Sequence, residues 1–270
     1  MLMLSFDGSG RDLSVSIVSA RSRSQWQEGA SGLEDFQVLA SERLDFDGQE
    51  RSDRQGTVSC LIPTIDRLMS ELSLKREQLQ AICVGIGPGG FTGVRVVVVT
   101  ARTLSQILAI PLIGINSLES ACYDLAAASG ATVVGIVKEA SRSHCYAAVY
   151  SVLPFAEGYF DLQVMEGSAN LPPSYLTYEA ARELFTSCRF ENAVIAVEPA
   201  VLARLAPCPE GLLEAQPVKN MALTQSKLAL LRLSLSSAQA HPYLKVEPLY
   251  LRGASITLKK GDGVERVESH

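Results

Sequence analysis

The chain has 270 residues, 47% hydrophobic and 20% charged, a balance that excludes a disordered polyelectrolyte and gives enough length for two compact units. Its formal net charge of −5 offers no long-range attraction to phosphate backbones, so any nucleic acid is expected to be held mainly by a partner. The six cysteines (Cys60, Cys83, Cys122, Cys145, Cys188 and Cys208) stand 20 residues or more apart, which rules out a metal knuckle or redox pair by spacing and suits buried thiols in a reducing compartment.

Leu2, Leu4 and Phe6 alternate with their neighbours, residues 8–12 carry turn chemistry, and Leu13, Val15 and Ile17 alternate again, which predicts a β-hairpin. The opening residues have no basic stretch followed by a long apolar run, so they do not read as a signal peptide, and a cytoplasmic protein is expected. Residues 22–35 and 47–56 read as polar loops flanking a third strand near residues 36–44. From Val58, the positions Leu61, Ile62, Ile65, Leu68, Met69 and Leu72 follow the three-and-four spacing of an amphipathic helix, with Pro63 either in its first turn or at a kink.

Residues 81–84 form a short apolar strand and residues 85–93 a glycine loop. Residues 94–109 contain five valines, which favour a strand, but their length and Ala101, Leu104, Gln106 and Leu108 favour a helix. Arg95, Arg102 and a length below the ~20 residues of a spanning helix argue against a membrane segment. A strand at residues 110–115 follows, and Asn116 with Glu119 three residues on opens a helix that closes near Gly130.

The pattern then restarts, with strands at residues 133–137, 144–152, near 162–165 and at 193–197, and helices at 178–185 and 222–235. Two successive strand-rich and helix-rich halves predict a duplicated α/β domain. The first subdomain is expected over residues 1–116, completed by the helix at 222–235, the second over 117–221, and a flexible tail over 258–270.

The glycine loop fits two stock phosphate motifs by spacing and fails both on a named position. Gly85-x-x-x-x-Gly90-Phe91-Thr92 has Phe91 where a P-loop carries lysine. Gly85-x-Gly87-x-x-Gly90 matches the dinucleotide fingerprint, but the next strand ends in Ile115-Asn116 rather than an acidic residue. A tight strand-to-helix turn, with glycines for backbone approach, accounts for the loop without a ligand.

At this loop a resemblance becomes specific. Gly85-x-Gly87-Pro88-Gly89-Gly90-Phe91-Thr92-Gly93-Val94-Arg95, followed by Ile110-Pro111-Leu112-Ile113-Gly114-Ile115 and Ser117-Leu118-Glu119, resembles the signature block of the TsaB (YeaZ) family, with Gly90 where serine is commoner. Leu4-Ser5-Phe6-Asp7, Leu61-Ile62-Pro63 and Pro248-Leu249-Tyr250-Leu251-Arg252 resemble further family features. The resemblance implies the duplicated actin-like fold shared with sugar kinases and Hsp70, of the ribonuclease H-like class. It also implies a non-catalytic organising subunit that binds a TsaD-type transferase and a TsaE-type ATPase to form N6-threonylcarbamoyladenosine at position 37 of tRNA, with tRNA reached through the complex and a homodimer possible alone.

In relatives of that fold that hydrolyse ATP, each half opens with an aspartate in a glycine-containing turn. Asp7-Gly8-Ser9-Gly10 keeps part of the first turn, whereas Lys138-Glu139-Ala140-Ser141 has neither aspartate nor glycine, and Val197 leads into Glu198-Pro199-Ala200 rather than an adenosine loop. No cofactor is therefore expected, with Asp7, Gly89, Gly90 and Thr92 as the candidate positions if one binds. The alternative is an ATP-dependent phosphotransferase or ATPase using Asp7 and Glu139 as metal-binding acids.

No metal is expected, because His144, His241 and His270 form no pair at ligand spacing. His144-Cys145 suggests a nucleophile and base, yet neighbours on a strand point to opposite faces. Asp7 reads more simply as a turn residue bonding its own backbone. The expected partner contacts lie on the two early helices, at Leu61, Ile65, Leu68, Met69, Leu72, Arg95, Val98, Arg102 and Ser105.

Overall fold

The computed structural model describes residues 1–20, 36–46, 56–156, 159–164, 171–187, 192–205, 212–214, 220–235, 245–252, 255–260 and 263–268. The polar loops expected at 22–35 and 47–55, Cys188, Cys208, His241 and His270 lie outside the described residues.

The predicted hairpin is β1 (Leu2–Asp7) and β2 (Asp12–Ser19), and β2 pairs antiparallel with β3 (Gln37–Asp45). Helix α1 (Thr57–Glu71) leads through a 3-10 turn at Arg76–Gln78 to β4 (Ala81–Gly85), then α2 (Phe91–Leu108), β5 (Leu112–Ile115) and α3 (Ser117–Ser129). The first sheet runs β3-β2-β1-β4-β5, with β4 parallel to β1 and β5 parallel to β4.

The second half supplies β6 (Val133–Glu139), β7 (His144–Ala156), β8 (Tyr159–Val164), β9 (Ser174–Thr177), α4 (Tyr178–Ser187), β10 (Ala193–Val197), α5 (Pro199–Leu202) and β11 (Leu212–Glu214). Its order, read from the matching edge, is β8-β7-β6-β10-β11, and β7 is antiparallel to β6 while β10 is parallel to it. Order and strand direction repeat between the halves, so β6 stands in the second lobe where β1 stands in the first. Helix α6 (Met221–Leu235) and a final hairpin of β12 (Ser255–Lys260) and β13 (Gly263–Glu268) complete the chain; the hairpin occupies most of the stretch read from sequence as a tail.

Strand period two sorts the core. Leu4, Phe6, Ile82 and Val84 face α1 and α2, whereas Met3, Ala81 and Cys83 face α3 and α6. The α3/α6 layer also meets Val134, Ile136, Ala148 and Tyr150 of the second sheet, whose other face packs Val137, Ala147 and Val149 against Phe185 and Val201. The order of layers is thus α1/α2, sheet, α3/α6, sheet, α4/α5. The valine-rich segment is helical because Val94, Val97, Val98 and Ala101 form one buried stripe.

Local signals behave as their chemistry predicts, with one exception. Asn116 caps α3 by accepting from the Leu118 N–H at 2.8 Å, and Gly130 ends it in the left-handed region at φ +65. Glu119, however, does not complete a capping box; it is buried and pairs with Arg232 of α6. Pro63 lies inside α1, six residues beyond its start, rather than in the first turn.

Asp124 of α3 accepts from the Thr224 hydroxyl of α6 at 2.7 Å, and burial raises its carboxyl above the ordinary aspartate range, with the Thr224 bond acting in the opposite direction. The folded chain therefore holds this proton more tightly than the unfolded chain. The resulting stability is full below about pH 4 and is lost as pH rises through the raised value. Asp124→Asn is expected to melt higher than the parent at pH 7 and to lose that advantage near pH 3.5, as thermal melts across pH would show.

Candidate functional site

The carboxyl ends of β1, β4 and β5 form the crevice where open α/β sheets usually receive ligands. Here the chain fills it with its own groups. Asp7, at the end of β1, is 3% exposed. One carboxylate oxygen accepts from the Ser9 N–H at 2.9 Å and the Ser9 hydroxyl at 2.7 Å. The other accepts from the Ser117 hydroxyl at 3.0 Å and the Gln225 side-chain amide at 2.7 Å. Four donors thus tie β1 to its own turn, to α3 and to α6. Gly85 is required beside them, because a Cβ there would stand 1.7 Å from the Asp7 Oδ2.

The glycine block presses the start of α2 onto the β1–β2 turn. The Gly90 N–H donates to the Ser9 carbonyl at 2.8 Å, and a Cβ on Gly89 would lie 2.1 Å from that oxygen. Of the four candidate cofactor positions, Asp7, Gly89 and Gly90 are therefore engaged with the chain's own turn. Thr92 is exposed and lines a shallow groove with Gly10, Arg11 and Thr57.

The late segment covers the same crevice. Val246 packs against Gly114, and the Leu249 N–H donates to the Ile86 carbonyl at 2.7 Å. Arg95 donates from Nε to the Tyr250 hydroxyl at 2.8 Å, with its guanidinium 4.2 Å from the Phe91 ring centroid. The glycine block and the late block, 155 residues apart at Arg95 and Tyr250, meet here.

In the second lobe, Glu139 ends β6 as Asp7 ends β1. Its carboxylate pairs with Arg204 at 3.2 Å and with Arg11, from the first lobe's turn, at 3.5 Å. Its N–H donates to Glu198 at 2.8 Å, and Glu198 also pairs with Lys138 at 3.8 Å. Donors and guanidinium groups point at both acids, which opposes rather than attracts a further cation.

Cys145 and His144 sit on opposite sides of β7. Cys145 is fully buried and its thiol is pushed up to about 11 by burial. The His144 ring stacks on Tyr175 at 4.4 Å, and its Nδ1 lies 2.8 Å from the Ser143 hydroxyl.

The residues expected to meet a partner need correction. Leu61, Ile65, Leu68, Met69, Val98 and Ser105 are 7% exposed or less, and Leu72 is half-buried on the same core. The apolar stripe read from sequence is the one the fold itself consumes. Arg95 is exposed but held by Phe91 and Tyr250, and Arg102 is half-buried. The outward faces carry other apolar residues: Val58 and Ile62 on α1, at 64% and 45% exposure, and Val99 and Ile107 on α2, at 60% and 71%. Helix α2 is long and apolar enough by composition to cross a membrane, with mean hydropathy 1.2 over 18 residues, although its inner stripe packs into the first lobe.

In the sequence Ser117 stands out only as part of the signature block and Glu198 only where an adenosine loop is missing, while Gln225 and Arg204 carry no motif. A glutamine inside the apolar run of α6 was the one available signal.

Residues 56–155 match the family model described as TsaD, tRNA N6-adenosine threonylcarbamoyltransferase. The chain is 33% identical over 92 residues to the tRNA threonylcarbamoyladenosine biosynthesis protein TsaB of Bacillus subtilis, covering 33% of this chain and 38% of that protein. It is 30% identical over 116 residues to an uncharacterized protein of Mycobacterium tuberculosis, covering 42% of this chain and 48% of the other. The chain spans less than half the length of these curated relatives. Two Pseudomonas aeruginosa structures share its fold at 19% identity: YeaZ, with TM-score 0.60 over 92% of this chain and 100% of that one, and a protein with similarity to peptidase YeaZ, with TM-score 0.63 over 93% and 99%. Sequence over part of the chain and fold over nearly all of it point the same way: the chain is similar to TsaB and YeaZ proteins and shares the YeaZ fold, with one strand order repeated in its two lobes.

Proposed function

We propose that this protein is a non-catalytic organising subunit in the formation of N6-threonylcarbamoyladenosine on tRNA, and that it binds a TsaD-type transferase through the outward faces of α1 and α2. The observation that carries the proposal is the apolar surface of Val58, Ile62, Val99 and Ile107, which the chain's own core leaves uncovered. A TsaE-type ATPase joins the same assembly, and without partners this face would support a homodimer. The non-catalytic half of the reading is supported by the filled crevice: Asp7 is saturated by four donors, Glu139 is paired with two arginines, and Val246 and Leu249 cover the strand ends.

Co-purification with a TsaD-type subunit tests the proposal. A stable complex is expected, and its absence at micromolar concentrations of both proteins would contradict it. The isolated chain is further expected neither to hydrolyse ATP nor to gain thermal stability from ATP and magnesium. ATP turnover by the parent that a folded Glu139→Gln variant loses would instead favour the phosphotransferase reading.

A further inference from the structure

The surface beside the covered crevice carries a run of rings and arginines that crosses from one lobe to the other. On the first lobe, the Phe91 and Tyr250 rings lie 5.2 Å apart with Arg95 over both, and the rings are 37% and 44% exposed. Phe91 and Tyr250 share a small notch with Arg252 and with Tyr146 of the second lobe. Tyr146 meets Tyr175 at 5.8 Å, and Tyr175 stacks parallel on His144. Tyr146 belongs to the core and Tyr175 packs against it, leaving one part of the Tyr175 ring outside, whereas Phe91 and Tyr250 belong neither to the core clusters nor to the face assigned to the transferase.

Rings on a surface interleaved with guanidinium groups suit unpaired bases, whose faces stack on aromatics while arginine meets the phosphates. We propose that Phe91, Arg95 and Tyr250 on the first lobe, with Arg252, and Tyr175 and His144 on the second, form a binding track for single-stranded RNA. The track adds stacking contacts to an RNA loop that a partner holds. With a net charge of −5 and two arginines on the track, the isolated chain binds weakly and with a shallow salt dependence. The proposal goes beyond the subunit reading above, and its test uses the isolated chain, so a failed transferase interaction leaves it standing and the converse holds.

The test is an anisotropy titration with a labelled oligoadenylate of about 12 nucleotides, against a duplex of the same length, at several salt concentrations. The single strand is expected to bind in preference, with a slope of log K on log salt near about −1.4 for two phosphate contacts. Tyr250→Leu and Tyr175→Leu are each expected to weaken binding about fivefold or more, whereas Tyr250→Phe, which keeps the ring and loses the bond from Arg95, binds as the parent. Melting curves accompany each variant, and Tyr175→Leu keeps the test open if Tyr250→Leu unfolds the late segment. No preference for the single strand, or folded leucine variants that bind as the parent, would overturn the proposal. So would leucine variants that lose transferase binding while RNA binding stays intact, which would make the track a protein contact.

Discussion

Asp7→Ala is expected to destabilise the chain by about 3 to 5 kcal/mol, because it strands buried donors rather than removing one exposed bond. The Ser9 N–H and hydroxyl, the Ser117 hydroxyl and the Gln225 amide would all lose their acceptor in a site that is 3% exposed. Asp7→Asn separates charge from hydrogen bonding. Its amide would place a donor against donors, so it too is expected to lower the melting temperature, by roughly half as much. For a chain of this length each kcal/mol moves the midpoint by about 2 to 4 °C, so the alanine variant would melt about 10 °C lower. A melting temperature within about 2 °C of the parent would remove Asp7 from its structural role.

The second large effect lies on the outer helix face. Val99→Asp with Ile107→Asp is expected to leave the fold intact, since the parent side chains are 60% and 71% exposed, and to weaken transferase binding about a hundredfold or more. Leu61→Asp, at 1% exposure, is expected to fail for the opposite reason, through loss of the core. Charge reversal at Arg95 is a poorer probe than the sequence suggests, because it breaks the Tyr250 and Phe91 contacts before it reaches any partner. Titration calorimetry with melting curves on the same samples separates these cases.

Period and turn chemistry made most of the fold legible. The β1–β2 hairpin, the glycine turn, the Asn116 cap, the Gly130 stop and the recurrence of the pattern after residue 132 are local signals, and each has a local cause. Strands β9 and β11, of four and three residues, are too short to show a period. The crevice was less legible, because it depends on contacts between distant positions. Asp7 and Gln225 are 218 residues apart, and no spacing rule links them. Most of the residues expected at a partner are core residues for a different reason. A three-and-four apolar stripe identifies what a helix buries within its own lobe, and Leu61, Ile65, Leu68 and Val98 are buried there. The proposed partner face is the opposite one, where Val99 and Ile107 look in sequence like more of the same valine-rich run.

The most direct measurement is threonylcarbamoyladenosine formation on tRNA by a reconstituted TsaD-type transferase and TsaE-type ATPase supplied with an activated threonylcarbamoyl donor, with and without this chain, and with the Val99→Asp, Ile107→Asp variant. The parent, and Asp7→Asn at a temperature where it is still folded, are expected to support modification, while the folded double variant leaves it at the level seen without the chain. Full modification with the double variant, or modification that proceeds equally well with the chain left out, would contradict it.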